Sequence, residues 1–210
     1  MNTARATTLL VIAKEPRPGR VKTRLTPPFT PQEAAALAGA ALADTLHAVL
    51  AAPARRRVLV LDGTPGPWLP PGFDVVPQCA GGLDERLADA FAGCAGPALL
   101  IGMDTPQVTP GLLTVDWRST DACFGPAADG GFWALGMAEP DPELVRGVPM
   151  STAVTGAVQR DRLTAAGLRV RDLPVLRDVD TAPDAARVAA CAPDGRFAAE
   201  LARLTAGAGR

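Results

Sequence analysis

Thr8-Leu9-Leu10-Val11-Ile12-Ala13-Lys14-Glu15-Pro16-Arg17-Pro18-Gly19-Arg20-Val21-Lys22-Thr23-Arg24-Leu25 is the stretch that decides how this chain is read. Its first five residues are short, apolar and β-rich, the pattern of a buried strand. A loop with five cationic side chains leaves that strand's C-terminal end. Open α/β sheets bind ligands at this edge. Pro16 and Pro18 forbid helix and stiffen the loop, and Gly19 lets the backbone approach a ligand closely. A stiff, basic loop in that place suits a di- or triphosphate. It is no P-loop, because the glycine spacing and the Gly-Lys-Ser/Thr ending are missing. A solvated basic turn would carry the same charges, so the remainder of the chain has to decide.

The chain has 210 residues, 48% of them hydrophobic. That composition fits one α/β domain with a substantial core and excludes a disordered chain. A formal net charge of -1 argues against a general nucleic-acid binder. The basic loop is therefore a local feature. Cys79, Cys94, Cys123 and Cys191 are widely spaced with no C-x-x-C pair, so neither a zinc site nor a disulfide framework is expected. They are expected to be reduced and mostly buried. The first apolar run is too short for a signal peptide, and no apolar run approaches the ~20 residues of a membrane span. A cytoplasmic protein is the expectation.

Thr30-Pro31-Gln32-Glu33 is a capping box with proline at the first helical position, opening an Ala/Leu-rich helix to about Ala51. Strands are expected at 57–61, near 74–76, at 97–101, 121–124, 131–137 and 168–170. Helices are expected at 83–94, with Leu83, Leu87, Ala90 and Phe91 on one face, and at 151–166, capped by Ser151 or Thr152. More helix comes after Thr181-Ala182-Pro183-Asp184. The result is a mostly parallel sheet alternating with helices, with an insertion in the second half.

Several residues stand where chemistry is plausible. Asp104, in Gly102-Met103-Asp104-Thr105-Pro106, lies just past the strongest strand, well placed to hold Mg²⁺ or Mn²⁺, although a strand-end turn often carries an aspartate too. Asp178 and Asp180 in Asp178-Val179-Asp180-Thr181 offer two more carboxylates, expected on alternate sides of an extended backbone. Asp180 is the expected second metal ligand, since Mg²⁺ often takes only one or two protein carboxylates. In Gly125-Pro126-Ala127-Ala128-Asp129-Gly130-Gly131-Phe132-Trp133, the glycines would admit a substrate and the aromatics stack on a ring, unless they simply form a turn with a core aromatic pair. Gln78-Cys79-Ala80-Gly81-Gly82 would offer amide and backbone groups to a nucleobase edge, while Glu85 and Arg86 would form a surface pair. His47, the only histidine, lies within the first helix, and nothing suggests a covalent mechanism.

Taken together, A-K-E-P-R-P-G-R-V-K-T-R-L, G-M-D-T-P, G-P-A-A-D-G-G-F-W and D-V-D-T-A-P-D resemble a small bacterial glycosyltransferase-like family of the nucleotide-diphospho-sugar transferase superfamily. Some members are associated with arsenosugar synthesis. The first motif is also similar to 2-phospho-lactate guanylyltransferase, and the general layout to molybdenum cofactor guanylyltransferase. The resemblance covers about residues 8 to 192. It implies a Rossmann-like glycosyltransferase-A fold binding a nucleotide in its first half and an acceptor in its second. Lys14, Lys22 and Arg24 match the phosphate-loop positions, Asp104 and Asp180 the metal positions, and Asp129, Gly130 and Gly131 the acceptor motif. Two departures stand out. The usual Gly-Asp-Leu-Gly-Glu-Arg is Gly81-Gly82-Leu83-Asp84-Glu85-Arg86 here, and the usual Trp-Ser-Thr is Met150-Ser151-Thr152.

The resemblance thus implies catalytic roles for Lys22, Arg24, Asp104 and Asp129. It implies nucleotide binding by Ala13, Lys14, Gly19, Lys22, Arg24, Gln78 and Gly82, and Mg²⁺ or Mn²⁺ on Asp104 and Asp180. The expected reaction is metal-dependent transfer of a sugar from a nucleotide-sugar to a small acceptor. The alternatives are nucleotidyl transfer from a nucleoside triphosphate to a phosphorylated small molecule, with release of pyrophosphate, and a non-catalytic nucleotide-binding protein. The expected partners are the nucleotide and the acceptor, with neither nucleic acid nor membrane, and a homodimer is compatible with the sequence.

Overall fold

The computed structural model describes residues 7–207. Seven strands form one sheet: β1 (Thr8–Lys14), β2 (Arg56–Asp62), β3 (Asp74–Pro77), β4 (Ala98–Gly102), β5 (Ala122–Pro126), β6 (Phe132–Met137) and β7 (Val170–Asp172). Five helices accompany them: α1 (Pro31–Ala51), α2 (Leu83–Ala92), α3 (Thr155–Ala165), α4 (Ala182–Cys191) and α5 (Arg196–Gly207). The strand order is β3-β2-β1-β4-β6-β5-β7. Only β6 runs against its neighbours, pairing antiparallel with β4 and β5. The sheet is mostly parallel, as the alternation of strands and helices predicts.

The central strands alternate their side chains between two apolar layers, as a period of two demands. Leu9, Val11, Leu59, Leu61, Leu99 and Ile101 pack with Leu42, Leu46 and Val49 of α1. Leu10, Val58, Val60 and Leu100 point the other way, onto Leu87 and Phe91 of α2 and Leu163 of α3. Another face of α1, with Leu37 and Ala41, meets Val188 of α4 and Phe197, Leu201 and Leu204 of α5. Covered on two sides, α1 is apolar nearly all round. By length and composition it would pass as a membrane span, with a mean hydropathy of 1.5 over its best window, 56% of which is buried inside this fold. The expectation that no apolar run reaches that length is corrected accordingly: Ala and Leu at every turn serve two interfaces of one core helix.

The capping box of α1 forms as expected, Thr30 accepting from Glu33 N while Glu33 reaches back to Thr30 N. Thr181 and Asp184 repeat the device on α4. Four local expectations shift. Leu83 is 42% exposed at the start of α2, whereas Leu87, Ala90 and Phe91 are buried. Helix α3 begins at Thr155, four residues later than expected, because Ser151 adopts left-handed φ 59 and the Thr152 hydroxyl is engaged by Thr155. The last strand lies at Val170–Asp172, in register with Ala122–Phe124. Of the four free cysteines only Cys123 is buried, and Cys191 is exposed.

After β1, β2 and β3 the chain returns to lay β4 on the other side of β1. The C-terminal ends of β1 and β4 therefore flank the point where the strand order reverses, where open sheets leave a crevice.

Candidate functional site

A cleft of about 970 Å³ opens at that reversal point. Lys22 is its centre. Its backbone is left-handed, φ 47, and only 11% of its side chain is exposed. Its Nζ donates to Asp104 Oδ2 at 2.6 Å and Asp180 Oδ1 at 3.0 Å, while Arg24 Nη1 donates to Asp180 Oδ2 at 3.1 Å. Burial pulls the Lys22 pKa down, but the Asp104 and Asp180 carboxylates outweigh it and leave the ammonium above its ordinary value. One backbone bond holds these groups together: Val179 N donates to Asp104 O at 3.1 Å. That bond joins the 178–180 segment to the turn after β4.

Asp178 and Asp180 both line the cleft, contrary to the expectation that they diverge. Residues two apart in extended chain share a face. Asp178 is the residue whose part sequence reasoning missed. Its Oδ1 is buried without a hydrogen-bond partner. Burial, then the charges of Asp104, Asp129 and Asp180, push its carboxyl pKa up to about 8, against the opposing pull of Lys22. The available signal was its spacing from Asp180.

The five cations of the β1 loop part company. Lys14, Arg20, Lys22 and Arg24 line the cleft. Among the described residues the side chains of Lys14 and Arg20 make no ion pair or hydrogen bond, so both present free positive charge. Arg17 pairs with Glu15 and, with Gly19, Lys14 and Arg20, lines a smaller adjoining pocket of about 250 Å³. Ala13 lines the cleft, but its carbonyl already accepts from Gln78 Nε2 at 2.8 Å.

Gln78 lines the cleft and braces it. Its Nε2 donates to Ala13 O and Val60 O, and its Oε1 accepts from Arg86. Arg86 also reaches Gly81 O, and Glu85 pairs with Arg146 and not with Arg86. Gly82 caps α2, with its neighbours Gly81 and Leu83, and not itself, lining the cleft.

Asp129 and Gly131 also line the cleft, with Met150, Ser151, Thr152 and Thr155. Asp129 Oδ1 accepts from Gly131 N at 2.9 Å. Gly131 faces the cleft, while Gly130 and Gly156 serve packing. A Cβ on Gly130, whose φ is +92, would strike the Ala153 backbone, and one on Gly156 would strike Gly131 O. Gly156 N instead donates to Gly130 O at 2.8 Å. These contacts make one lip of two segments. Trp133 is 2% exposed and donates to Pro174 O, and Phe132 tilts against Phe124, so the aromatics belong largely to the core.

A divalent cation fits these residues. Asp104 and Asp180 already hold a cation between them, the Lys22 ammonium, and every donor beside it is a carboxylate oxygen, the type Mg²⁺ and Mn²⁺ prefer. Among the described residues no three His, Cys, Asp or Glu are arranged as a ready metal cage. The fit is to an ion that keeps other ligands for phosphate and water.

A family of bacterial proteins, described as "Uncharacterized protein conserved in bacteria (DUF2064)", matches residues 33–152. A candidate nucleotide-diphospho-sugar transferase from Desulfovibrio desulfuricans G20 is 27% identical, with TM-score 0.75, covering 83% of this chain and 82% of its own. Two more distant structures share the fold. The Thermus thermophilus 2-C-methyl-D-erythritol 4-phosphate cytidylyltransferase is 16% identical, TM-score 0.52, over 90% of this chain and 99% of its own. Rv0371c of Mycobacterium tuberculosis H37Rv, determined in complex with manganese, is 22% identical, TM-score 0.50, over 87% and 97%. No curated protein matches the sequence.

Proposed function

The chain belongs to the DUF2064 family, and on that footing we propose that it is a metal-dependent transferase moving a sugar from a nucleotide-sugar to a small acceptor. One observation carries this reading: Lys22 bridges Asp104 and Asp180 at the sheet's reversal point, with the unpaired Lys14 and Arg20 lining the same cleft. Such a cluster suits a nucleoside diphosphate and its counter-cation. The name of the Desulfovibrio relative favours sugar transfer, and the manganese in Rv0371c favours a divalent ion.

Asp104 and Asp180 would hold Mg²⁺ or Mn²⁺, which when bound neutralises phosphate oxygens and stabilises the departing diphosphate. Lys22, Arg24, Lys14 and Arg20 supply positive charge to that leaving group, where negative charge grows in the transition state. Asp129 accepts the proton of the acceptor hydroxyl. The new bond joins that oxygen to the sugar's anomeric carbon as the bond to phosphate breaks. Free cysteines accord with a reducing cytoplasm, where we place the protein.

A second reading, nucleotidyl transfer from a triphosphate, is favoured by the free charge of Lys14 and Arg20, which a longer polyphosphate would use. Thermal melts with Mn²⁺ and a panel of nucleotide-sugars and triphosphates separate the two. A ligand at about 100 times its Kd adds ~2.7 kcal/mol. The largest shift with a nucleotide-sugar supports sugar transfer, and with a triphosphate the second reading. No shift with any of them overturns both.

A further inference from the structure

Arg86 lines the cleft from the start of α2, with 27% of its side chain exposed. Two of its nitrogens are committed. Nε donates to Gly81 O at 3.2 Å, while Nη1 donates to Gln78 Oε1 at 3.1 Å and reaches Asp62 Oδ2 at 3.5 Å. Among the described residues Nη2 has no partner. Gln78 cannot turn over to release this grip. Its Nε2 donates to Ala13 O and Val60 O, which only accept, and Arg86 only donates, so one orientation of the amide satisfies all three. The guanidinium is therefore held as a fixed plane, with Nη2 and its N–H donors left over.

Strand order sets this cluster apart from Lys22. Arg86 sits beside Asp62, the last residue of β2, whereas Asp104 follows β4, and β1 lies between the two strands. Two strand spacings, roughly 10 Å, separate those strand ends across the sheet. That is the scale of a ribose carrying its base. Leu83, nearly one turn before Arg86 and 42% exposed, also lines the cleft and offers an apolar face to a flat ring.

We propose that Arg86 reads the donor's nucleobase and selects one with a keto oxygen, guanine or uracil, over adenine and cytosine. The inference rests on the nucleotide-donor reading of the cleft and deepens it. Where guanine carries O6 and uracil O4, adenine and cytosine carry an amino group. A guanidinium has no acceptor, and this one has three partners to give up before it swings aside, so an amino base sets donor against donor. The Asp62 carboxylate already shares its charge, which suits a neutral carbonyl better than a phosphate. Lys14 and Arg20 remain for the phosphates. Gln78 is a positioning residue here, since it fixes the plane of the guanidinium.

The test titrates the full chain with GDP, UDP, ADP and CDP in the presence of Mn²⁺, followed by calorimetry. GDP or UDP is expected to bind more tightly than both ADP and CDP, by about tenfold or more. Equal affinity for all four, or preference for an amino base, overturns the inference and leaves the transferase reading standing. Binding of none of them overturns both. Arg86→Met should bring the favoured nucleotide down toward the others while the affinity for ADP holds, a change of ratio that loss of folded protein cannot imitate. Equal weakening of all four would make Arg86 merely structural and overturn its reading role. Arg86→Lys keeps the charge and loses the rigid fork, so the preference should shrink there too. An undiminished preference in that variant also counts against the inference.

Discussion

The loop after β1 and the lip made by residues 129–131 and 150–156 line the same cleft by different means. The loop works through charge. Proline stiffens it, Lys22 holds a left-handed backbone, and its side chain is pinned by two aspartates far along the chain. The lip works through shape. Its glycines let one backbone press on another, and it brings hydroxyls and a carboxylate but no cation. A ligand that is mostly phosphate can be held by charge from several directions, whereas an acceptor must be placed to within a fraction of an ångström for its oxygen to attack. The two kinds of construction suit those two tasks.

Asp104→Ala is the severest way to break the loop's side of this contrast. It should lower turnover by ~10²–10³-fold while leaving the fold intact, as steady-state rates and a circular dichroism melt would show. An unchanged rate would remove the metal site from the proposal. Lys22→Met should cost ~10²-fold in rate. It should also tighten Mn²⁺ binding to the nucleotide-free protein, because the ammonium no longer occupies the space between Asp104 and Asp180. Mn²⁺ titration followed by electron paramagnetic resonance reads this directly, and weaker binding would contradict the shared position.

Gly130→Ala probes the lip alone. A positive φ and a backbone clash should lower stability by ~1–3 kcal/mol and raise the KM for acceptor, with the melting shift given by donor preserved. Loss of the donor shift would show that the two regions are not separable. Arg17→Ala is the smallest change. Arg17 is exposed, does not line the main cleft, and among the described residues its one ion pair is with Glu15, so stability should move by less than ~0.5 kcal/mol and the rate not at all. A clear loss of rate would mean that all five cations of the loop act together.

Much of this molecule was legible locally. The apolar runs, the capping boxes at Thr30 and Thr181 and the prolines of the first loop each follow from contacts within a few residues, which a linear pattern records. Asp104 was legible because strand ends in α/β sheets are where ligands bind. The left-handed Ser151 was not, because the α3 start depends on the 130–131 backbone packed against it. The bracing by Gln78 was not legible for a similar reason: the carbonyls it donates to belong to Ala13 and Val60, on two other strands. Leu83 obeyed its helical spacing yet faces the cleft, since periodicity does not say where a helix ends relative to the sheet.

The sequence by itself determined that β1 ends in a basic, proline-stiffened loop and that acidic residues follow β4 and precede α4. Hydrophobic period, proline geometry and capping act over a few residues, so they are written into the chain order. Only the tertiary structure decided which charges meet. Lys22, Asp104 and Asp180 converge because β4 returns beside β1 and Val179 bonds to the Asp104 backbone. The same convergence buries an oxygen of Asp178, because long-range register fixes where each loop lands.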